Sequence, residues 1–366
     1  MSGWITRTLA SALLAAALPV TAAASSDGKI PDAEYGRINA SLLEHHILPR
    51  YDRLADAMAA LAREVYDFCA GESDTAAVRE RYHSAGDAWM AVQHLRFGPV
   101  ELFMRSYRLY FWPEARGKVA GAVDELLAEV HAEGYSIQRL TEASVAVQGL
   151  PAVEHLLYER DTRPGTRACA LLEGVTANMC DITHGIKRDW RTGDAGFRDV
   201  FTRPASDNAY YDSHRAATLD LFKSFHGGLR LIADVKLIPV VGEGVEDARP
   251  RRVESGASDR ALRNIRINLE ALQAMYLGDG GAGLSALVQA HGEDPELDPL
   301  MRRAFRLTLE SVHAVDAPLA RAVVDGERRA DVEQLETRVL ALKQIVRSRV
   351  AGALGLAVGF NALDGD

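Results

Sequence analysis

The stretch of the 366-residue chain with most chemical promise is Gly149-Leu150-Pro151-Ala152-Val153-Glu154-His155-Leu156-Leu157-Tyr158. A helix brings residues i, i+3 and i+4 to one face. A histidine three residues before a glutamate would therefore aim an imidazole and a carboxylate at one metal ion. Here that position is Pro151, which offers no donor atom. Proline is tolerated in the first turn of a helix, so Gly149 to Pro151 reads as a break and restart. Glu154 then lies in the restarted first turn, where the helix dipole favours a carboxylate. His155 sits about 100° round the helix and does not share an ion with Glu154 in regular geometry. Tyr158, one turn on, shares the Glu154 face and could bond a ligand or simply pack. The residues alone leave two readings open: a kinked core helix, or a ligand site anchored on Glu154.

Other side chains could line the same cleft. His94 and Arg96 stand just before a chain break at Gly98-Pro99, and helix ends expose polar groups. Trp89, a little earlier, is a core residue or a stacking surface for a ligand. The motifs HExxH, GxSxG and the Walker loop are absent. Gly278 to Gly283, "GDGGAG", matches GxGxxG formally but follows a helix, so it reads as a helix-ending turn. Glu44-His45-His46 are adjacent, so their side chains fan out round a helix as a surface cluster. Asn361, Asp364 and Asp366 offer oxygen atoms near the chain end, yet lack the spacing of a calcium loop and read as a solvated tail. The three cysteines, Cys69, Cys169 and Cys180, read as buried free thiols. Cys169 and Cys180 fall about 16 Å apart along one helix, too far for a disulfide.

These residues need helices to position them. From Ile38, apolar positions recur through Leu42, Ile47, Tyr51, Leu54, Met58, Leu61, Val65 and Phe68, at helical steps. Pro49 should kink or split that helix. Further helices are predicted over about 74–95, 117–131, 136–159 (interrupted at 149–151) and 165–190. After a connecting segment at 193–209, others follow over about 210–236, 258–277, 282–291, 297–324 and 329–356. Ser258-Asp259 should cap the helix after it. No stretch alternates with period two. The expectation is all-α: two four-helix-bundle-like domains, 30–192 and 210–366, with a cleft between them and a hint of internal duplication.

Composition sets outer bounds. Hydrophobic content of 48% and charged content of 25% suit a globular protein, and the net charge of -9 disfavours nucleic acid or an anionic membrane as partner. Residues 1–24 read as a cleavable signal peptide: Arg7, an apolar run from Leu9 to Val20, then Thr21-Ala22-Ala23-Ala24. No cysteine follows there to carry a lipid. The expectation is an exported, periplasmic monomer.

"GLPAVEHLLY" resembles the signature of the imelysin-like family, whose usual motif is GxHxxE. The blocks "AWMAVQHLRFGPV" (88–100), "FWPEARG" (111–117), "CALLEGVTANMCDITHGIKRDW" (169–190) and "GALGLAVGFNALDGD" (352–366) support it, and match a subgroup reading GLPAxE. The resemblance covers nearly the whole mature chain. It implies two helical bundles with the motif near the groove between them, a role in bacterial iron acquisition, and partners in periplasmic iron transport. Gly149 and Glu154 match the motif; the metal-binding histidine is replaced by Pro151. The resemblance therefore implies a non-enzymatic protein holding iron, chelated iron or another small ligand near Glu154. Its alternative is a metal-dependent peptidase, after the family's older label, which would need at least three protein ligands and an open position for water.

Overall fold

The structure, a computed structural model, describes residues 30–114, 117–129, 134–192 and 196–356. The signal-peptide reading (1–24) and the oxygen-bearing tail (Asn361, Asp364, Asp366) lie outside the described residues. Every regular element among the described residues is helical, as the periodicity predicts.

The chain opens with α1 (Asp32–Leu42), a π-helical segment (Leu43–Ile47) and α2 (Leu48–Cys69), running on as one rod. Pro49 does not break it. Proline cannot donate to the carbonyl four residues back, and its ring crowds that carbonyl. The turn before Pro49 widens into a π segment, which absorbs both problems. The same device recurs before Pro239: α10 (His214–Arg230) passes through a π segment, Leu231–Leu237, into α11 (Ile238–Val241). The eight apolar positions read from the sequence between Leu42 and Phe68 are all buried.

Between these rods lie α3 (Thr75–Met90), α4 (Arg105–Leu109), α5 (Lys118–Ala128), α6 (Ile137–Glu142), α7 (Leu150–Tyr158), α8 (Arg167–Arg191) and α9 (Phe197–Thr202). Beyond them come α12 (Ala261–Leu277), α13 (Leu284–His291), α14 (Leu297–Ala314), α15 (Leu319–Ala322), α16 (Arg329–Ile345), a third π segment (Val346–Val350) and α17 (Ala351–Ala353). Side-chain caps start several of them: Asp74 accepts from Ala77 N–H, Thr166 from Cys169 N–H, and Ser213 from Ala216 N–H. The single helix expected over 297–324 ends at Ala314 because Pro318 interrupts it.

α2 packs between α3 and α8, and α14 packs against α16. α1 lies instead on α10 and α13, while α12 touches α3, α10 and α14. One continuous hydrophobic core runs from Tyr35 to Leu356. The connecting segment is itself packed: Phe201 of α9 sits among Phe97, Trp190 and Tyr211. An internal duplication is not established by this arrangement.

The cysteine expectation is corrected. Cys69 at the end of α2 meets Cys169 at the start of α8, Cα to Cα 5.7 Å, and the two form a disulfide. Helical spacing tests only cysteines on one helix; this pair is joined by packing across 100 residues of sequence. Cys180 is the free thiol.

Glu44-His45-His46 also departs from a surface cluster. Glu44 and His45 are exposed, but His46 is fully buried because the π segment turns it inward.

Candidate functional site

α7 carries the motif. Gly149 is its N-cap and Pro151 stands in its first turn, so the break and restart are present as predicted. Glycine is obligatory here by contact: a Cβ would lie 2.2 Å from the Leu109 carbonyl oxygen. Pro151, Glu154 and His155 then face a cavity of about 1120 Å³. Its opposite wall is Trp112 and the segment from Pro250 to Ala257.

Glu154 is 9% exposed. One carboxylate oxygen accepts two bonds from Ser258, from the backbone N–H at 2.9 Å and the hydroxyl at 2.7 Å. Burial pushes the Glu154 carboxyl up; the Ser258 bonds pull it back in part, and the Glu159 and Glu254 charges add a further upward push. The carboxyl therefore sits raised, readier to hold a proton than a surface glutamate.

Ser258 does not cap α12, against the expectation from its residue type. Asp259 takes a left-handed backbone conformation (φ 53°) and the helix starts only after Arg260. The freed hydroxyl bonds Glu154 instead. Ser255 is left-handed as well, at φ 49°. Two non-glycine residues in this region, at a cost of about 1 kcal/mol or more each, shape the loop that brings Ser255 to the cavity and Ser258 to Glu154.

A polar layer underlies the floor. Lys236, brought inward by the second π segment, pairs with Glu254 at 2.8 Å and donates to Asn268 and Gln93 at 2.7 and 3.0 Å. Its ammonium lies 6.0 Å from the centre of the Trp112 ring. Asn264 donates to Glu254 at 3.0 Å, and Tyr110 and Ser255 share a bond of 3.2 Å. Desolvation lowers the Lys236 pKa, with the Glu254 charge opposing.

The charges lining the cavity divide unevenly. Glu159 is bonded to His155 at 2.6 Å, Asp234 to Lys343 at 2.5 Å, and Glu114 accepts from Val119 N–H at 3.2 Å. Arg251 and Arg252 are exposed and have no carboxylate within ion-pair distance among the described residues. The acids are engaged; the two arginines are not.

The other residues singled out from sequence lie elsewhere. His94 is not in this cavity: its Nε2 lies 2.9 Å from Nε2 of His46, with both rings buried. Arg96 is on the surface, paired with Glu101 at 3.3 Å and set over the Tyr107 ring. Trp89 is core, stacked on Tyr110. Tyr158 turns to the far side of α7, its hydroxyl 3.1 Å from His83 Nε2. Glu154 and Tyr158 keep their spacing on the helix, but the helix lies edge-on between two hollows. Sequence reasoning missed Trp112, Arg251, Arg252, Ser255 and Ser258. Trp112 stands in the FWPEARG block; for the other four the signal was a Gly- and Arg-rich loop that reads as a plain connection until α7 is seen to pack beside it.

The family model described as imelysin, a peptidase M75 family, matches residues 47–346, and the chain belongs to that family. An imelysin-like protein from Psychrobacter arcticum 273-4 has a similar structure, with TM-score 0.76 and 18% identity over 90% of this chain and 98% of that one. A protein named as an iron-regulated protein A precursor, from Parabacteroides distasonis ATCC 8503, aligns with TM-score 0.68 and 17% identity over 87% and 97% of the two chains. No curated protein is significantly similar.

Proposed function

We propose that the protein is an exported binding protein of iron acquisition, and that its cleft takes iron as an anionic chelate rather than as a bare ion. The observation that carries this is the pairing of a cavity of about 1120 Å³ with two unengaged arginines, Arg251 and Arg252. A bare cation needs a few converging oxygen or nitrogen donors. Among the described residues no three His, Cys, Asp or Glu side chains are grouped to hold one. A bulky anion needs volume, guanidinium forks and an aromatic wall. Trp112, Arg251 and Arg252 supply these.

The link to iron rests on the family and on the name of the Parabacteroides neighbour. Export is supported by the signal-like N-terminus and by the Cys69–Cys169 disulfide, which belongs in an oxidising compartment. No helix among the described residues is long and apolar enough to cross a membrane.

Equilibrium dialysis against ferric citrate and against ferrous ion alone tests the reading. Ferric citrate should bind near one per chain, and Arg251→Ala with Arg252→Ala should weaken it by about tenfold to a hundredfold, the worth of one to two charge-assisted contacts. Stoichiometric binding of bare ferrous ion that survives the double substitution and is lost in Glu154→Ala would refute it.

A further inference from the structure

A second hollow, of about 710 Å³, lies on the opposite side of α7 and is lined by Arg79, Glu80, His83, Tyr158 and Arg263. We infer that it is a binding site for a small oxyanion, a carboxylate or a phosphate, held by the Tyr158 hydroxyl and the Arg79 guanidinium.

The donors are set by a chain of hydrogen bonds. Arg260, 2% exposed, donates from Nη1 to His83 Nδ1 at 2.9 Å. An arginine cannot accept, so His83 Nδ1 is the unprotonated nitrogen. Burial and the Arg260 charge both lower the His83 pKa, which keeps the ring neutral. Its single proton is therefore on Nε2, aimed at the Tyr158 oxygen 3.1 Å away. Tyr158 accepts that bond, and its own O–H is left to donate. No acceptor for it is found among the described residues.

Arg79 is held in place for the same task. Its Nε and Nη2 both donate to the Leu157 carbonyl, at 3.3 and 2.7 Å. Its guanidinium lies 4.4 Å from the centre of the Tyr158 ring. Nη1 has no partner among the described residues, so a second donor, fixed over the Tyr158 ring, lines the same hollow.

The local charge has the matching sign. Asp87 is engaged by both Arg260 and Arg263, with the Arg260 bond at 2.6 Å. Burial alone would raise the Asp87 carboxyl; those two arginines reverse this and hold it below the usual carboxylate range. Arg79 and Arg263 line the hollow against the single carboxylate Glu80, so its lining carries one positive charge in excess; the Glu154 charge, which also acts on Tyr158, opposes it. In a chain of net charge -9 such a local excess is what attracts a small anion to this place.

Isothermal titration of the full chain with inorganic phosphate and with acetate, at low salt, tests the site. At least one should bind saturably at one site per chain. Tyr158→Phe keeps the ring and removes only the hydroxyl, and should weaken binding about three- to tenfold. Arg79→Gln should weaken it by tenfold or more, with thermal melting confirming that the variant folds. Glu80→Gln removes an exposed rim carboxylate and should tighten binding about two- to fivefold. Arg251→Ala with Arg252→Ala should leave it unchanged, which separates this site from the cleft. Absence of saturable binding by either anion up to about 10 mM overturns the inference. So does binding that Tyr158→Phe and Arg79→Gln leave intact, or that the Arg251 and Arg252 substitutions abolish.

Discussion

Lowering the pH from 7 to 5 should destabilise the protein through three buried histidines. His46, His94 and His226 are 0, 2 and 4% exposed. Burial lowers all three: His94 to about 3, His226 to about 4, and His46 well below its ordinary value, with His94 adding to the effect there. An unfolded histidine titrates near 6.5 and takes up a proton as pH falls past that value, while the folded ring stays neutral. Below about pH 6.5 the unfolded state therefore binds more protons and stability falls with pH. The loss is about 1.4 kcal/mol per histidine per pH unit, or about 2 kcal/mol each between pH 7 and 5. The His46 and His94 rings share a hydrogen bond and titrate as a pair, so the total lies at about 4 to 6 kcal/mol. The raised Glu154 carboxyl acts in the opposite sense, gaining stability as pH falls through its folded value. Urea denaturation at half-unit pH steps reads the slope directly. His226 isolates one contribution, because neither ring nitrogen has a partner among the described residues and the ring lies parallel to Phe222. His226→Leu should reduce the slope by about 1.4 kcal/mol per pH unit. A stability that is flat from pH 7 to 5, or a slope unchanged by His226→Leu, would refute the argument.

Reducing the Cys69–Cys169 bond, which closes a loop of 100 residues, should cost about 4 to 5 kcal/mol; paired urea melts with and without reductant check it, and Cys180→Ser should change nothing. Gly149→Ala should cost at least about 1 to 3 kcal/mol, since its Cβ would press on the Arg108 and Leu109 carbonyls at 2.5 and 2.2 Å; calorimetry measures the drop in melting temperature. Ser258→Ala removes the hydroxyl bond that draws the Glu154 carboxyl down, so the Glu154 pKa should rise further, as followed by carbon NMR of the glutamate carboxyls.

The helices were legible because their apolar positions repeat with the helical period, and α3 and α8 begin within about two residues of that reading. The restart at Gly149 to Pro151 was legible because glycine and proline act locally. What could not be read was tertiary. Ser258 has the residue type of an N-cap, and only the left-handed Asp259 diverts it to Glu154. His94 lies at a helix end, as expected, but that end is the centre of the molecule. Gln93 there bonds Lys236, and His94 bonds His46, so the first two π segments each direct a polar side chain to one buried turn. Cys69 and Cys169 carry no mark of their pairing until α2 and α8 are laid side by side.

The π segment at Leu43–Ile47 inserts one residue into an otherwise regular rod, and so shifts the angular phase of α1 by about 100° relative to α2. α2 can thereby address α3 and α8 while α1, on the same axis, addresses α10 and α13. A single stiff element is thus shared by both sides of the molecule, like a dowel through two blocks. A swing of one side against the other would have to bend or break that rod.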